Sequence, residues 1–156
     1  ERVNPNVMVD RVTPFFYACV WPVMANVLLD FPHVDPGLGF DMHERPVHIA
    51  SYSNAELLRR LLADPRVDPT LELDSGIHRL NTFHCAMGGL AWESCILLAE
   101  DGRLNPNLGD PAYGINVLGV ACINGIIPLV KTLLKHPDID VNAKDNFGVS
   151  YKLKNK

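Results

Sequence analysis

No apolar run in this chain approaches the roughly 18 residues needed to cross a bilayer; LLRRLLA and IIPLVKTLL are broken by charge or proline well before that. Basic clusters are equally scarce. The formal net charge is −4 and the densest basic stretch is the closing KLKNK, which gives neither a phosphate backbone nor an anionic lipid surface an electrostatic footprint. Nucleic acid and membrane are therefore not expected partners. Cys19, Cys85, Cys95 and Cys122 form no C-x-x-C pair and sit in apolar settings, YACVW, FHCAM, ESCILL and VACIN. Buried reduced thiols are the expectation, and with them an intracellular, cytoplasmic setting in which the nucleus stays open. Catalytic signatures are missing as well. There is no G-x-x-x-x-G-K-[ST] phosphate loop, since MGGLAWE lacks both the lysine and a preceding strand, and no serine sits in a G-x-S-x-G elbow. Gly88 and Gly89 are expected to shape a turn between two helices. No enzyme activity and no cofactor are expected.

DMHERPVHIA, residues 41 to 50, carries two histidines around an acid. A zinc-peptidase helix needs its histidines four apart, so that both imidazoles leave one face. His43 and His48 are five apart with Pro46 between them, which turns the second side chain about 140° from the first and bars an uninterrupted helix interior. No metal site is expected there. His33, His78 and His136 fall in separate turns without ligand spacing.

At 156 residues, 47% hydrophobic and 21% charged, the chain has the material for one domain's core. It opens ERVNPNVMVD, with neither an initiator methionine nor a signal-peptide core, and reads as a piece of a longer protein. It is also internally repetitive. LLDFPHVDPGLGFD, LLADPRVDPTLELD, LLAEDGRLNPNLGD and LLKHPDIDVNAKD share one plan: paired leucines, a break, an aliphatic residue, Asp or Asn, then a finger ending in Asp. TPFFYA, RPVHIA, NTFHCA and NVLGVA follow the fingers. Their terminal alanines, Ala18, Ala50, Ala86 and Ala121, are 32, 36 and 35 residues apart. The repeated acids Asp35, Asp68, Asp138 and Asp140 recur with this period, which assigns them to turns and caps rather than to calcium or a catalytic pair.

Within each unit the local signals read turn, helix, turn, helix. Thr13 ahead of Pro14, and Asn81 and Asn116 at the equivalent places, are N-cap residues. The second helices carry apolar stripes, Val23, Met24, Val27, Leu28; Leu57, Leu58, Leu61, Leu62; and Leu129, Val130, Leu133, Leu134, each expected to pack inward. Pro22 and Pro128 open two of these helices, and Pro32, Pro65 and Pro137 stand beyond three. Arg59, Arg60, Lys131 and Lys135 are expected on a solvated outer face.

This plan resembles the ankyrin repeat, D-x-x-G-x-T-P-L-H-x-A-A-x-x-G-H followed by a helix with paired leucines and a V-N-A loop. The fullest unit runs from Gly114 to Ser150, with Ala121, Gly125, Leu133, Leu134, Val141, Asn142, Asp145 and Gly148 in register. The resemblance implies an all-α ankyrin-repeat solenoid over 1–156, with helix-turn-helix units joined by β-hairpin-like fingers. The units fall at roughly 10–41, 42–74, 75–110 and 111–145, with partial repeats at both ends and Ser150 opening the last. His48 and His84 take the family's helix-start histidine position, whereas Phe16 and Gly119 replace it in the other units. The fingers differ in length, DSGIHRLN and DPAYGIN being the longest, and long loops on a rigid scaffold are where recognition sits.

The function implied is a protein-protein interaction module, monomeric in this segment, binding another protein through its finger tips and concave face. The alternative is a targeting or assembly arm of a larger enzyme, ligase adaptor or channel. Tyr17, Trp21, Tyr52 and Trp92 lie in or just after first helices, which line the concave face in this family. They are either core fillers or binding anchors. The finger residues Phe40, Met42, Leu71, Leu73, Tyr113 and Phe147 carry the same ambiguity. The finger tips alternate apolar and acidic residues in TLELDSG and GLGFDMH, a rim suited to a polypeptide with basic and apolar groups. Finally, ankyrin proteins are targets of an asparaginyl hydroxylase that favours a leucine eight residues upstream and an acidic-aliphatic pair before the asparagine. Asn142, with Leu134, Asp140 and Val141, fits that pattern, its alternative role being to stabilise the loop.

Overall fold

The structure is a computed structural model that describes residues 3–40, 44–74, 76 and 78–151. The elements follow one another as helix pairs: α1 Pro14–Ala18 with α2 Pro22–Leu29, α3 Pro46–Ser53 with α4 Ala55–Ala63, α5 Thr82–Gly88 with α6 Trp92–Asp101, and α7 Val117–Ile123 with α8 Ile127–Leu133. Between the second and third pairs, β1 Leu73–Asp74 and β2 Arg79–Leu80 form an antiparallel hairpin with Leu73 opposite Leu80. The other fingers close on isolated bridges, Val9 with Val12, Phe40 with Glu44 and Lys144 with Ser150. Short turns of this kind lack the run of alternating residues that a longer ladder needs.

Caps set the helix starts as the sequence predicts. Thr13, Asn81 and Asn116 accept hydrogen bonds from the backbone N–H groups of Phe16, His84 and Gly119, which satisfies donors that no helical carbonyl can reach. Asn54 does the same for Leu57 at the start of α4.

Each pair packs on the next through like elements, α3 on α5 and α5 on α7, α2 on α4, α4 on α6 and α6 on α8. The core between them is a ribbon of small and aliphatic residues. Ala50, Ala86 and Ala121 on the first helices and Leu57, Leu58, Leu61, Leu98, Leu129 and Leu133 on the second are fully buried. The alanines let neighbouring helices approach closely, and the leucines fill the layer between them.

Asp35, Asp68, Asn105 and Asp140 each accept an N–H two residues on, from Gly37, Thr70, Asn107 and Asn142. One Asx turn thus recurs in every unit. Two arginines tie units together. Arg66, held by Asp64 at 2.6 Å, donates to the Pro32 and Val34 carbonyls, and Arg103, held by Asp101, donates to those of Leu62 and Val67.

Three expectations are corrected. The stripe of α2 does not pack inward: Val23 is 79% exposed, Met24 56% and Val27 51%, because α2 lies against α1 and α4 and has no further helix on its other side among the described residues. At the C-cap of α8, Leu134 is 44% exposed although Leu133 is buried. Arg60 is not simply solvated. It donates to Asn26 and pairs with Asp30 at 2.8 Å, linking α4 to α2, while Arg59 lies near Glu56 and Glu93.

Candidate functional site

A groove of about 300 Å³ lies where α3, α5 and the β1–β2 hairpin meet. Ile49, Cys85 and Gly88 line it from the helices and Leu73 and Leu80 from the hairpin, with Tyr52 at the end of α3. At Gly88 a Cβ would make only ordinary contact with the Tyr52 ring, 3.8 Å from Cε2. At Gly89 the approach is tighter: a side chain would overlap the Tyr52 carbonyl. Gly89 therefore allows the α5–α6 turn to close against α3.

The polar lining comes from Glu44, His48, Ser53 and His84. His48 is buried, and both ring nitrogens are engaged: Nδ1 accepts from the Arg45 N–H at 3.1 Å and Nε2 meets the Leu71 carbonyl at 2.9 Å. It fixes the helix start and the next turn at once. Burial pushes its pKa below the usual histidine range, the Leu71 bond opposes this, and the Arg45 charge adds to it. His84 repeats the first bond, Nδ1 accepting from Asn81 N–H at 3.0 Å, and burial lowers its pKa too. Its Nε2 faces the Leu108 and Gly109 carbonyls without a well-formed hydrogen bond. Both rings are neutral at pH 7.

Cys85 is a thiol and not a nucleophile: burial, helped by the Glu44 carboxylate, pushes its pKa up to about 12. Burial raises Cys19 to about 12, raises Cys95 to about 12 against an opposing backbone hydrogen bond, and also raises Cys122. The four cysteines are free. Among the described residues no three His, Cys, Asp or Glu side chains stand together as metal ligands.

The aromatics singled out from the sequence divide. Tyr17 and Tyr52 are each 56% exposed and Trp21, the residue that caps α2, is 62% exposed. Trp92, after the first helix α5, is the first residue of the second helix α6 and is half-buried against the core, the place of a core filler.

Of the finger residues, Phe40 leans on Phe16 with ring centroids 6.3 Å apart, and Phe40, Leu71, Tyr113 and Phe147 are exposed. Leu73 is half-buried in the groove wall. Met42 and His43 lie outside the described residues. The Tyr113 finger is braced by its neighbour, Asn146 donating from its backbone to the Tyr113 carbonyl at 2.9 Å. Asp110 closes the same finger by accepting three N–H bonds, from Ala112, Tyr113 and Ile115.

Where Gly119 replaces the helix-start histidine, a tyrosine fills the space. The Tyr151 ring packs so closely over Gly119 that a Cβ would come to 2.8 Å from it. Tyr151 Oη donates to Asp145 at 2.6 Å, which lowers the Asp145 pKa and raises that of Tyr151. Asn142 is exposed; its N–H donates to Asp140, and its side-chain amide makes no hydrogen bond among the described residues.

Glu44 was missed by sequence reading. Its signal was faint: an acid next to the helix-start Arg45-Pro46, on a bridge position, whose residue lines the groove.

Compared with known proteins, residues 113–143 match the family model of the ankyrin repeat, the segment that holds the Tyr113 finger, α7, α8 and Asn142. No curated protein matches the chain. Among the described residues, no helix is long and apolar enough to cross a membrane.

Proposed function

We propose, from the match of residues 113–143 to the ankyrin-repeat model, that the four helix pairs of this chain stack as one ankyrin-repeat solenoid and that its concave face and fingers bind another polypeptide, with no catalysis in this segment. Ankyrin repeats mediate protein-protein interaction. The units would run at roughly 10–41, 42–74, 75–110 and 111–145. The repeated contacts between like helices and the recurring Asx turn support one stack.

The observation that carries the binding reading is the groove between α3, α5 and the hairpin, where aliphatic walls and a 56% exposed tyrosine meet a few placed polar groups. An exposed aromatic beside an open apolar hollow is the composition of an interface anchor. The outer helices offer a different surface: Arg59 and Lys131 are exposed charges, and rim charges of that kind contribute little to affinity.

The test is affinity against a partner selected by two-hybrid screening. Phe40→Ala, Leu73→Ala and Tyr113→Ala are expected to weaken binding about tenfold or more with helical circular dichroism intact, and Arg59→Ala and Lys131→Ala to leave it nearly unchanged. A partner indifferent to the finger changes and sensitive to the outer pair would place the interface on the other face.

A further inference from the structure

Glu44 is the anomaly of the groove. Six acids are half-buried among the described residues, and five are satisfied: Asp64 and Asp101 by arginines, and Asp35, Asp110 and Asp145 by N–H or O–H donors. The Glu44 carboxylate has no hydrogen bond and no ion pair among the described residues. Burial raises its pKa, with no compensating charge, so the free protein holds a partly desolvated carboxylate at a cost.

Among the described residues no cation pairs with it: the neighbouring Arg45 donates to the Gly37 carbonyl. His48 and His84 are neutral, and Arg79 on the hairpin lies 3.5 Å from Glu72. The same groove presents hydrocarbon from Ile49, Leu73, Leu80 and the ring of Tyr52, and Cys85 lies close enough to feel the carboxylate's charge. A carboxylate and apolar walls in one groove complement a side chain that is aliphatic along its length and cationic at its tip. An exposed aromatic face adds attraction for the same charge.

We propose, building on the concave-face reading above, that this groove seats a lysine or arginine side chain of the bound polypeptide, its stem along Ile49, Leu73 and Tyr52 and its cationic head on Glu44. The residue thus sets specificity: a neutral or acidic side chain in the groove leaves Glu44 desolvated and unpaired, which penalises the wrong partner as well as rewarding the right one.

Selection of a random phage-displayed peptide library on the whole chain tests this. The expected result is peptides with one indispensable lysine or arginine, whose replacement by norleucine, or by citrulline for arginine, lowers affinity about tenfold or more. Glu44→Gln should remove the same factor and abolish the difference between arginine and citrulline, while Glu56→Gln on α4 changes nothing. The peptide series needs no protein variant, so misfolding of Glu44→Gln would not obscure the answer. Selected peptides that lose binding with Tyr52→Ala or Leu73→Ala but need no basic residue would overturn this inference and leave the concave-face reading standing. Peptides insensitive to every groove and finger variant, or no peptides at all, would overturn both.

Discussion

The helices α2 and α4 occupy the same place in successive units, yet they bury opposite amounts of what they carry. α2, PVMANVLL, is the more apolar, and only its Ala25 is fully buried. α4, AELLRRLLA, carries three charges and buries Leu57, Leu58 and Leu61 completely. The difference lies in neighbours. α4 is flanked by α2 and α6 and packs on α3, whereas α2 has α1 and α4. In a repeat architecture a face is buried by the next unit, so the apolar count of a helix does not by itself say what is core.

The sharpest way to break this comparison is a matched pair of truncations. Leu61→Ala should cost about 3 kcal/mol, since it opens a cavity in a closed layer, and lower Tm by roughly 6–12 °C. Val27→Ala should cost less than about 1 kcal/mol. Equal losses in thermal melts would mean that α2 is as enclosed as α4. Next in size is His48→Ala, which strands the Arg45 N–H and the Leu71 carbonyl and is expected to cost about 2 kcal/mol.

The two histidines also set a pH dependence. Their folded pKa values lie below the ordinary one, with Arg45 deepening the shift at His48 and Asp110 and Glu72 opposing it at His84. The unfolded chain therefore binds protons more readily, and stability is complete above about pH 6.5 and falls as pH drops below it. Urea titrations from pH 7 to 5 should show that loss, and it should shrink in a His48→Gln, His84→Gln double variant.

A smaller effect of opposite sign is expected at the α5–α6 turn. Leu90 is held at φ 52° and is 62% exposed, where the corresponding turn of the last unit has Gly125 at φ 67°. Leu90→Gly should stabilise by about 0.5–1 kcal/mol, as the left-handed strain exceeds the entropy glycine adds to the unfolded chain. A lower Tm would show that the leucine side chain packs usefully in that turn. In the last unit we propose Asn142 as a hydroxylation site: exposed Leu134 and Val141 and an unbonded side-chain amide suit an enzyme's approach. Incubation with an asparaginyl hydroxylase should add one oxygen to the intact mass. An unchanged mass, or an oxygen retained in Asn142→Ala, would exclude it.

The sequence was most readable where chemistry is local. Thr13, Asn81 and Asn116 announce their caps, and Asp35, Asp68 and Asp140 their turns, because each acts on an N–H two or three residues away. His48 was legible through its place in the repeated hexapeptide. The exposure of Val23 and Met24 was not, because a stripe records amphipathicity and not whether a neighbour covers it. The Asp-x-Arg pairs at 64–66 and 101–103 stood in plain view, but their role depends on carbonyls more than thirty residues away. Glu44 was hidden for a related reason: what marks it is the lack of a partner, which no sequence displays.

Hydrogen-deuterium exchange of the chain with and without a selected partner peptide tests the central claim most directly, because it maps the contacted face without mutation. The account predicts slowed exchange in α3, α5 and residues 71–80, with α4, α6 and α8 unchanged. Protection confined to those second helices, with the groove exchanging as in the free chain, would contradict it.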